Sequence, residues 1–177
     1  SFETIGRMAG EFAANHFPLQ KPGLVFYGDT PGDSTKAHHY RQAAEAAGMR
    51  IVFSKKISND DTGEILKLLT DTYEFSGNKT KAYVIAKDSI GSIFVASDKG
   101  GLASNASSAV EIRGDSIRLL GSTKWLDYNF VNFGAYETMG VALIAPSFMP
   151  ANSESFQKVR NRYIAKYAEQ PSANVFK

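Results

Sequence analysis

The chain has 177 residues, enough for one full-sized domain and too few for two comfortable ones. Its 20 basic and 18 acidic residues leave a net charge of +2 and are scattered along the chain, which argues against a nucleic-acid-binding arm or a basic membrane patch. The absence of cysteine removes disulfides, thiolate metal sites and Cys nucleophiles, while 43% apolar and 12% aromatic residues supply a real core with no apolar run long enough to span a bilayer.

Residues 2–14 place Ile5, Met8, Ala9, Phe12 and Ala13 three and four apart, one apolar helical stripe that His16-Phe17-Pro18 ends. Leu24-Val25-Phe26-Tyr27 then reads as a strand buried on both faces, followed by the glycine-rich loop 28–33. Ser34 is the expected N-cap of a second helix with Ala37, Tyr40, Ala43, Ala44 and Ala47 on one side and Gly48 as its left-handed stop. Arg50-Ile51-Val52-Phe53 is the next strand. Asp61 and Glu64 have capping-box spacing, and Ile65, Leu66, Leu68, Leu69 and Tyr73 supply the buried side of a third helix. Residues 76–81 read as a polar turn, 82–85 as a short edge strand, and Ile93-Phe94-Val95 as a strong strand closed by the loop 97–101. An Ala- and Ser-rich helix runs from Leu102 to Ile112. Residues 116–120 and 141–145 form two further strands, with room for a short helix between them. Asn152 caps a last amphipathic helix that carries Phe156, Val159, Tyr163, Ile164 and Tyr167 and stops at Gln170-Pro171.

Strands separated by helix-length segments call for parallel pairing through right-handed crossovers. The expected fold is α/β: a doubly wound three-layer α/β/α sandwich on a mainly parallel five-stranded, Rossmann-like sheet, with residues 1–177 as a single lobe. Ligands of such sheets bind beyond the strand C-termini, so the loops at 28–34, 54–60, 97–101, 121–125 and 146–152 are the candidates. These loops offer Asp29, Thr30, Ser97, Asp98, Ser122, Thr123 and Trp125 as ligand-binding residues.

The wording of these segments resembles the second lobe of type I periplasmic binding proteins, the leucine/isoleucine/valine-receptor superfamily. The resemblance rests on YGDTPGDS (27–34) leading to AEAAGMRIVF (44–53), on IFVASDKGGLASN (93–105) and on IRLLGSTKW (117–125). It is carried most by SFQKVRNRYIAKYAEQPS (155–172), with Phe156, Tyr163, Lys166, Tyr167 and Pro171 at matching positions. It implies one lobe of a two-lobed extracytoplasmic receptor that closes on a small polar solute, an amino acid or similar. The second lobe of the same chain is then a missing partner and this sequence a piece of a longer protein. Membrane transport components are implied partners, in the periplasm or cell envelope and with a lipoprotein anchor as one option. DSIGSIFVASD (88–98) and GSTKWLDYNF (121–130) lean instead towards an envelope scaffold beside peptidoglycan-associated proteins. Pro31 stands where amino-acid receptors offer an aromatic. An acidic partner for a ligand ammonium would be Asp98 or Asp29.

Other chemistries fit these residues less well. The hydroxyls of loop 30–35 would suit FMN or a phosphoryl group in a self-contained flavodoxin-like or receiver-like domain, but Asp33 repels phosphate and the spacing equally describes a turn with an N-cap. His38 and His39 diverge by about 100° on a helix and cannot share a metal. With no Gly-x-Ser-x-Gly elbow and no carboxylate couple, the residues give no reason to expect an enzyme or a cofactor. Trp125 follows a strand on the ligand side and would stack on a solute if exposed, or pack on Phe130 and Phe133 as a lid over the core.

Overall fold

The computed structural model describes residues 1–58, 63–69, 71–75, 78–82, 84–128, 133–145 and 154–168. They belong to two compact units, Ser1–Ile144 and Ala145–Lys177. The first opens with α1 (Phe2–His16), β1 (Gly23–Tyr27), α2 (Pro31–Ala46) and β2 (Ile51–Lys56). It continues through α3 (Glu64–Leu69), β3 (Asp71–Phe75), β4 (Asn78–Ala82), β5 (Ser92–Ala96) and α4 (Gly100–Arg113). It closes with β6 (Arg118–Ser122), a 3-10 helix (Thr123–Asp127), α5 (Phe133–Met139) and β7 (Ala142–Ile144).

Five strands form one parallel sheet in the order β2-β1-β5-β6-β7. β1 lies in the interior of that sheet, which is why Leu24, Val25 and Phe26 are all fully buried and no polar residue interrupts them. Successive side chains feed opposite layers. Leu24, Phe26, Ile93, Val95 and Leu119 join α3 and α4 in one core, and Val25, Phe94, Ala96 and Leu120 join α1 and α2 in the other. Tyr40 stacks on Phe94 at 4.2 Å in the second core, and burial pushes its hydroxyl well above the ordinary phenol range against the lowering effect of a hydrogen bond with Ser92.

Several elements depart from the sequence expectation. The helix expected to start at Ser34 starts at Pro31, because Thr30 caps it through its Oγ1, which accepts from the Asp33 N–H at 3.1 Å, and proline suits the first helical position. Ser34 instead donates to Pro31 O. On α1 the buried residues are Gly6, Ala9, Gly10, Ala13 and Ala14, while Met8 is exposed. A Cβ on Gly6 would collide with Lys36 O and one on Gly10 with Tyr40 O, so the two glycines let α1 lie against the α2 backbone. Gly48 has φ +93° and follows α2 as expected.

Tyr73 is not on a helix. α3 stops at Leu69, and the alternation of residues 71–75 goes into β3, which pairs antiparallel with β4 as a separate two-stranded sheet. That hairpin takes up most of the segment read as a turn at 76–81. Its two ends meet where the Ile85 N–H donates to Leu69 O at 3.3 Å. The buried Arg113 guanidinium locks the junction, donating to Leu69 O at 2.8 Å, Ile85 O at 2.9 Å and Ala86 O at 3.0 Å while pairing with Asp115 at 2.7 Å.

The expected caps Asp61 and Asn152, the loop 146–152, the stop at Gln170-Pro171 and the packing partner Phe130 lie outside the described residues. In the second unit, α6 (Glu154–Tyr167) runs over the expected span, with Ile164 half-buried and Tyr167 exposed beneath Lys166, whose Nζ lies 5.0 Å from the ring centre.

Candidate functional site

β1 and β5 are neighbours in the sheet, but the chain leaves them towards opposite faces, to α2 on one side and α4 on the other. Their C-terminal loops therefore part and leave a crevice, the place where open parallel sheets bind ligands. A cleft of about 500 Å³ occupies it, walled by Thr30, Pro31, Gly32, Asp33 and Lys36 from α2 and its cap, Asp98 and Lys99 from the loop after β5, and Phe2 from α1. The Phe2 ring rests over Gly32, where an added Cβ would lie 2.8 Å from the ring, and remains about half exposed.

The charges in this cleft are organised around Lys36. Its Nζ is buried and lies 3.1 Å from Asp33 Oδ1, one helical turn earlier, and 3.2 Å from Asp98 Oδ1 across the crevice. It also stands 5.7 Å from the centre of the Phe2 ring. Asp33 is 3% exposed, and its Oδ2 has no hydrogen-bond partner. Asp98 is the solvent-facing member of the trio, with 51% of its side chain exposed.

Thr30 and Asp98 are thus the expected site residues that line the cleft. Asp29 lies just outside it, paired with Lys56 at 3.3 Å at the end of β2. Ser97 is fully buried, its Oγ accepting from the Lys99 N–H at 3.2 Å and its carbonyl from the Trp125 indole N–H at 2.8 Å. Ser122 caps the 3-10 helix by accepting from the Lys124 N–H at 3.1 Å, and Thr123 is the first residue of that helix.

Trp125 corrects the expectation of a stacking surface: it is fully buried, packs edge-on to Tyr136, and lies so close over Gly121 that any Cβ there would strike the indole. With both faces enclosed, it supports the loop after β5 from behind. Tyr128 adds to that support by donating to Asp98 O at 3.2 Å. Lys36, a buried member of the cluster, was missed because it sits inside a helix, and Asp33, read as part of the loop 28–33 and weighed only as repelling phosphate, proves to be in the first turn of α2. The available signal was their i, i+3 spacing on the same stripe as Ala37, Tyr40 and Ala44.

The phosphate-cradle reading meets a physical objection here. Pro31 has no N–H, the Thr30 hydroxyl accepts from Asp33, and both the Ser34 and Thr35 hydroxyls donate back to Pro31 O at 2.9 Å, so the helix start has spent much of its anion-binding capacity on itself. Among the described residues there is no group of three or more side chains able to hold a metal ion, and no helix long and apolar enough to cross a membrane. A second cleft, of about 380 Å³, lies at the other end of the sheet between the C-terminal ends of α4 and α5, next to Gly114, Thr138 and Met139.

The fold is similar to one lobe of type I periplasmic binding proteins. An ABC transporter substrate-binding protein from Desulfitobacterium hafniense superposes with a TM-score of 0.62 at 16% identity, over 99% of this chain and 45% of its own. A D. hafniense ABC transporter substrate-binding protein in complex with Leu gives 0.57 at 17% identity, over 99% and 45%. The solute-binding protein of an ABC transporter from R. palustris in complex with benzoate gives 0.56 at 15% identity, over 99% and 43%. The chain therefore spans less than half the length of these proteins, as one of two lobes does. No protein-family profile and no curated protein sequence matches it.

Proposed function

We propose that the chain is one wall of a small-solute-binding site in an extracytoplasmic receptor, with the cleft between the β1 and β5 loops as the surface that meets the solute. The observation that carries this reading is the Asp33–Lys36–Asp98 cluster at the sheet's switch point, with Asp33 and Lys36 buried, Asp98 half exposed, and one Asp33 carboxylate oxygen left without a partner. A buried acceptor without a donor costs about 1–3 kcal/mol, and a polar ligand is one means of recovering it. The fold adds support, since proteins of similar fold hold solutes such as leucine and benzoate. In this reading a second lobe supplies the opposite wall, and closure of the two around a polar solute delivers it to membrane transport components. The role is binding without chemistry.

One wall alone makes about half the contacts and binds weakly. Calorimetric titration of the 177-residue chain with amino acids and aromatic carboxylates should give dissociation constants no tighter than about 1 mM, equivalent to about −4 kcal/mol. Micromolar binding would contradict the one-wall reading. Bound flavin, or phosphorylation by acetyl phosphate, would replace it with a self-contained domain.

A further inference from the structure

We infer that the second cleft, at the end of the sheet away from the β1 and β5 loops, is a separate site for a small zwitterion, whose ammonium meets Glu111 and whose carboxylate meets Arg118. The inference does not depend on the role of the first cleft. The volume, about 380 Å³, lies within the range of about 300–1,000 Å³ that small-molecule pockets occupy. Its floor is apolar, with Val110 and Ile117 buried and Met139 half-buried. Its two free charges stand on different elements, Glu111 in the last turn of α4 and Arg118 at the start of β6. Both are exposed, and neither forms an ion pair with any of the described residues, each other included.

The backbone fixes where each charge stands. α4 and α5 both give way to left-handed glycines, Gly114 at φ +69° and Gly140 at φ +64°. A Cβ on Gly140 would fall on the Arg118 guanidinium, so this glycine makes the room in which the guanidinium lies against the end of α5. The last carbonyls of a helix lack intrahelical donors and form the negative end of its dipole. Arg118 answers that negative end at α5. α4 has no such answer, because Arg113, the basic residue of its last turn, is spent on Asp115 and on the carbonyls of Leu69, Ile85 and Ala86. Glu111 adds a carboxylate to the same helix end. One wall of the cleft is therefore negative and the other positive, and Ser116 contributes an exposed hydroxyl from the connection between α4 and β6. A lone anion is repelled by the α4 wall and a lone cation by Arg118. A neutral molecule that carries an ammonium and a carboxylate satisfies both.

Three probes of similar length separate the charges: γ-aminobutyrate, butyrate and n-butylammonium. The isotopically labelled chain is titrated with each, following the amide signals of Ser116, Arg118 and Met139 at this cleft and of Gly32 and Lys99 at the first. The zwitterion should shift the first group saturably, and the two singly charged probes should bind there about tenfold more weakly. Glu111→Gln and Arg118→Gln should each weaken γ-aminobutyrate by about tenfold, and because both side chains are exposed the fold survives either change. An affinity unchanged by both substitutions would overturn the assignment, as would equal binding of butyrate or n-butylammonium. Shifts confined to Gly32 and Lys99 would also overturn it, while leaving the first cleft as the solute-binding wall. No saturable shift at any of these amides would mean that Glu111 and Arg118 are only solvated surface charges, and the inference would fall.

Discussion

Lys36 is the residue on which the cleft's electrostatics depend, and its neighbours predict unequal consequences of mutation. Removing its charge leaves Asp33 buried beside nothing positive, whereas removing Asp98 deletes a half-exposed partner that water can replace. Lys36→Met should therefore cost about 3 kcal/mol of stability, and Asp98→Asn less than about 1 kcal/mol. Urea unfolding monitored by Trp125 fluorescence would check the order, and equal losses would mean that the pair across the crevice, and not the one within α2, is the buried interaction. The cluster was only partly legible in the sequence. Asp98, Thr30 and Asp33 stand in segments that topology marks as ligand-facing, but Lys36 lies within a helix whose neighbouring positions on the same stripe are alanine and tyrosine. A lysine on an apolar stripe reads as a snorkelling surface residue until its partner on another strand's loop is known. Trp125 shows the converse: its place after β6 was visible, but only the close approach of Gly121 and the bond to Ser97 O decide that it faces inward.

At the scale of elements, sequence signals worked best where a strand or helix is bounded by its own chemistry. The central strands β1 and β5 announce themselves as apolar runs, and the capped start of α2 was wrong by one turn because Thr30 and Ser34 are both capable caps and only Pro31 discriminates between them. The close α1–α2 contact was less readable, because glycines in a helix normally weaken it and here serve as the contact surface. The β3–β4 hairpin was missed since Tyr73 satisfies a helical period as well as a strand period. What fixes its base is Arg113 with Asp115, and this pair makes a pH-dependent prediction. Burial by itself would raise the Asp115 pKa, but hydrogen bonds from Arg113 and from the Asp88 N–H, with the guanidinium charge, bring it below the usual carboxylate range. A carboxyl with a depressed folded-state pKa adds stability that is complete above its unfolded pKa of about 4 and disappears as pH falls through the folded value. The native chain should exceed Asp115→Asn by about 3 kcal/mol at pH 7, with the gap narrowing below about pH 4. Denaturation midpoints across pH check it, and a gap that widened on acidification would refute the assignment.

For the molecule as a whole, alternating strands and helices were enough to specify a parallel α/β sheet, and the order β2-β1-β5-β6-β7 is what places two diverging loops beside one cleft. The segment wording resembled one lobe of a two-lobed fold, and the structure is similar to such a lobe over nearly the whole chain and less than half of each similar protein. The ligand was not legible, because in the proposed reading this chain is one wall of the site and carries only part of its specificity. The central claim is that solutes meet this lobe at the strand C-termini, and intermolecular nuclear Overhauser effects from saturating leucine test it most directly. The account predicts contacts from the leucine methyl protons to the Phe2 ring. Contacts to Met139 and Thr138 in the cleft at the opposite end of the sheet, with none to Phe2, would contradict it.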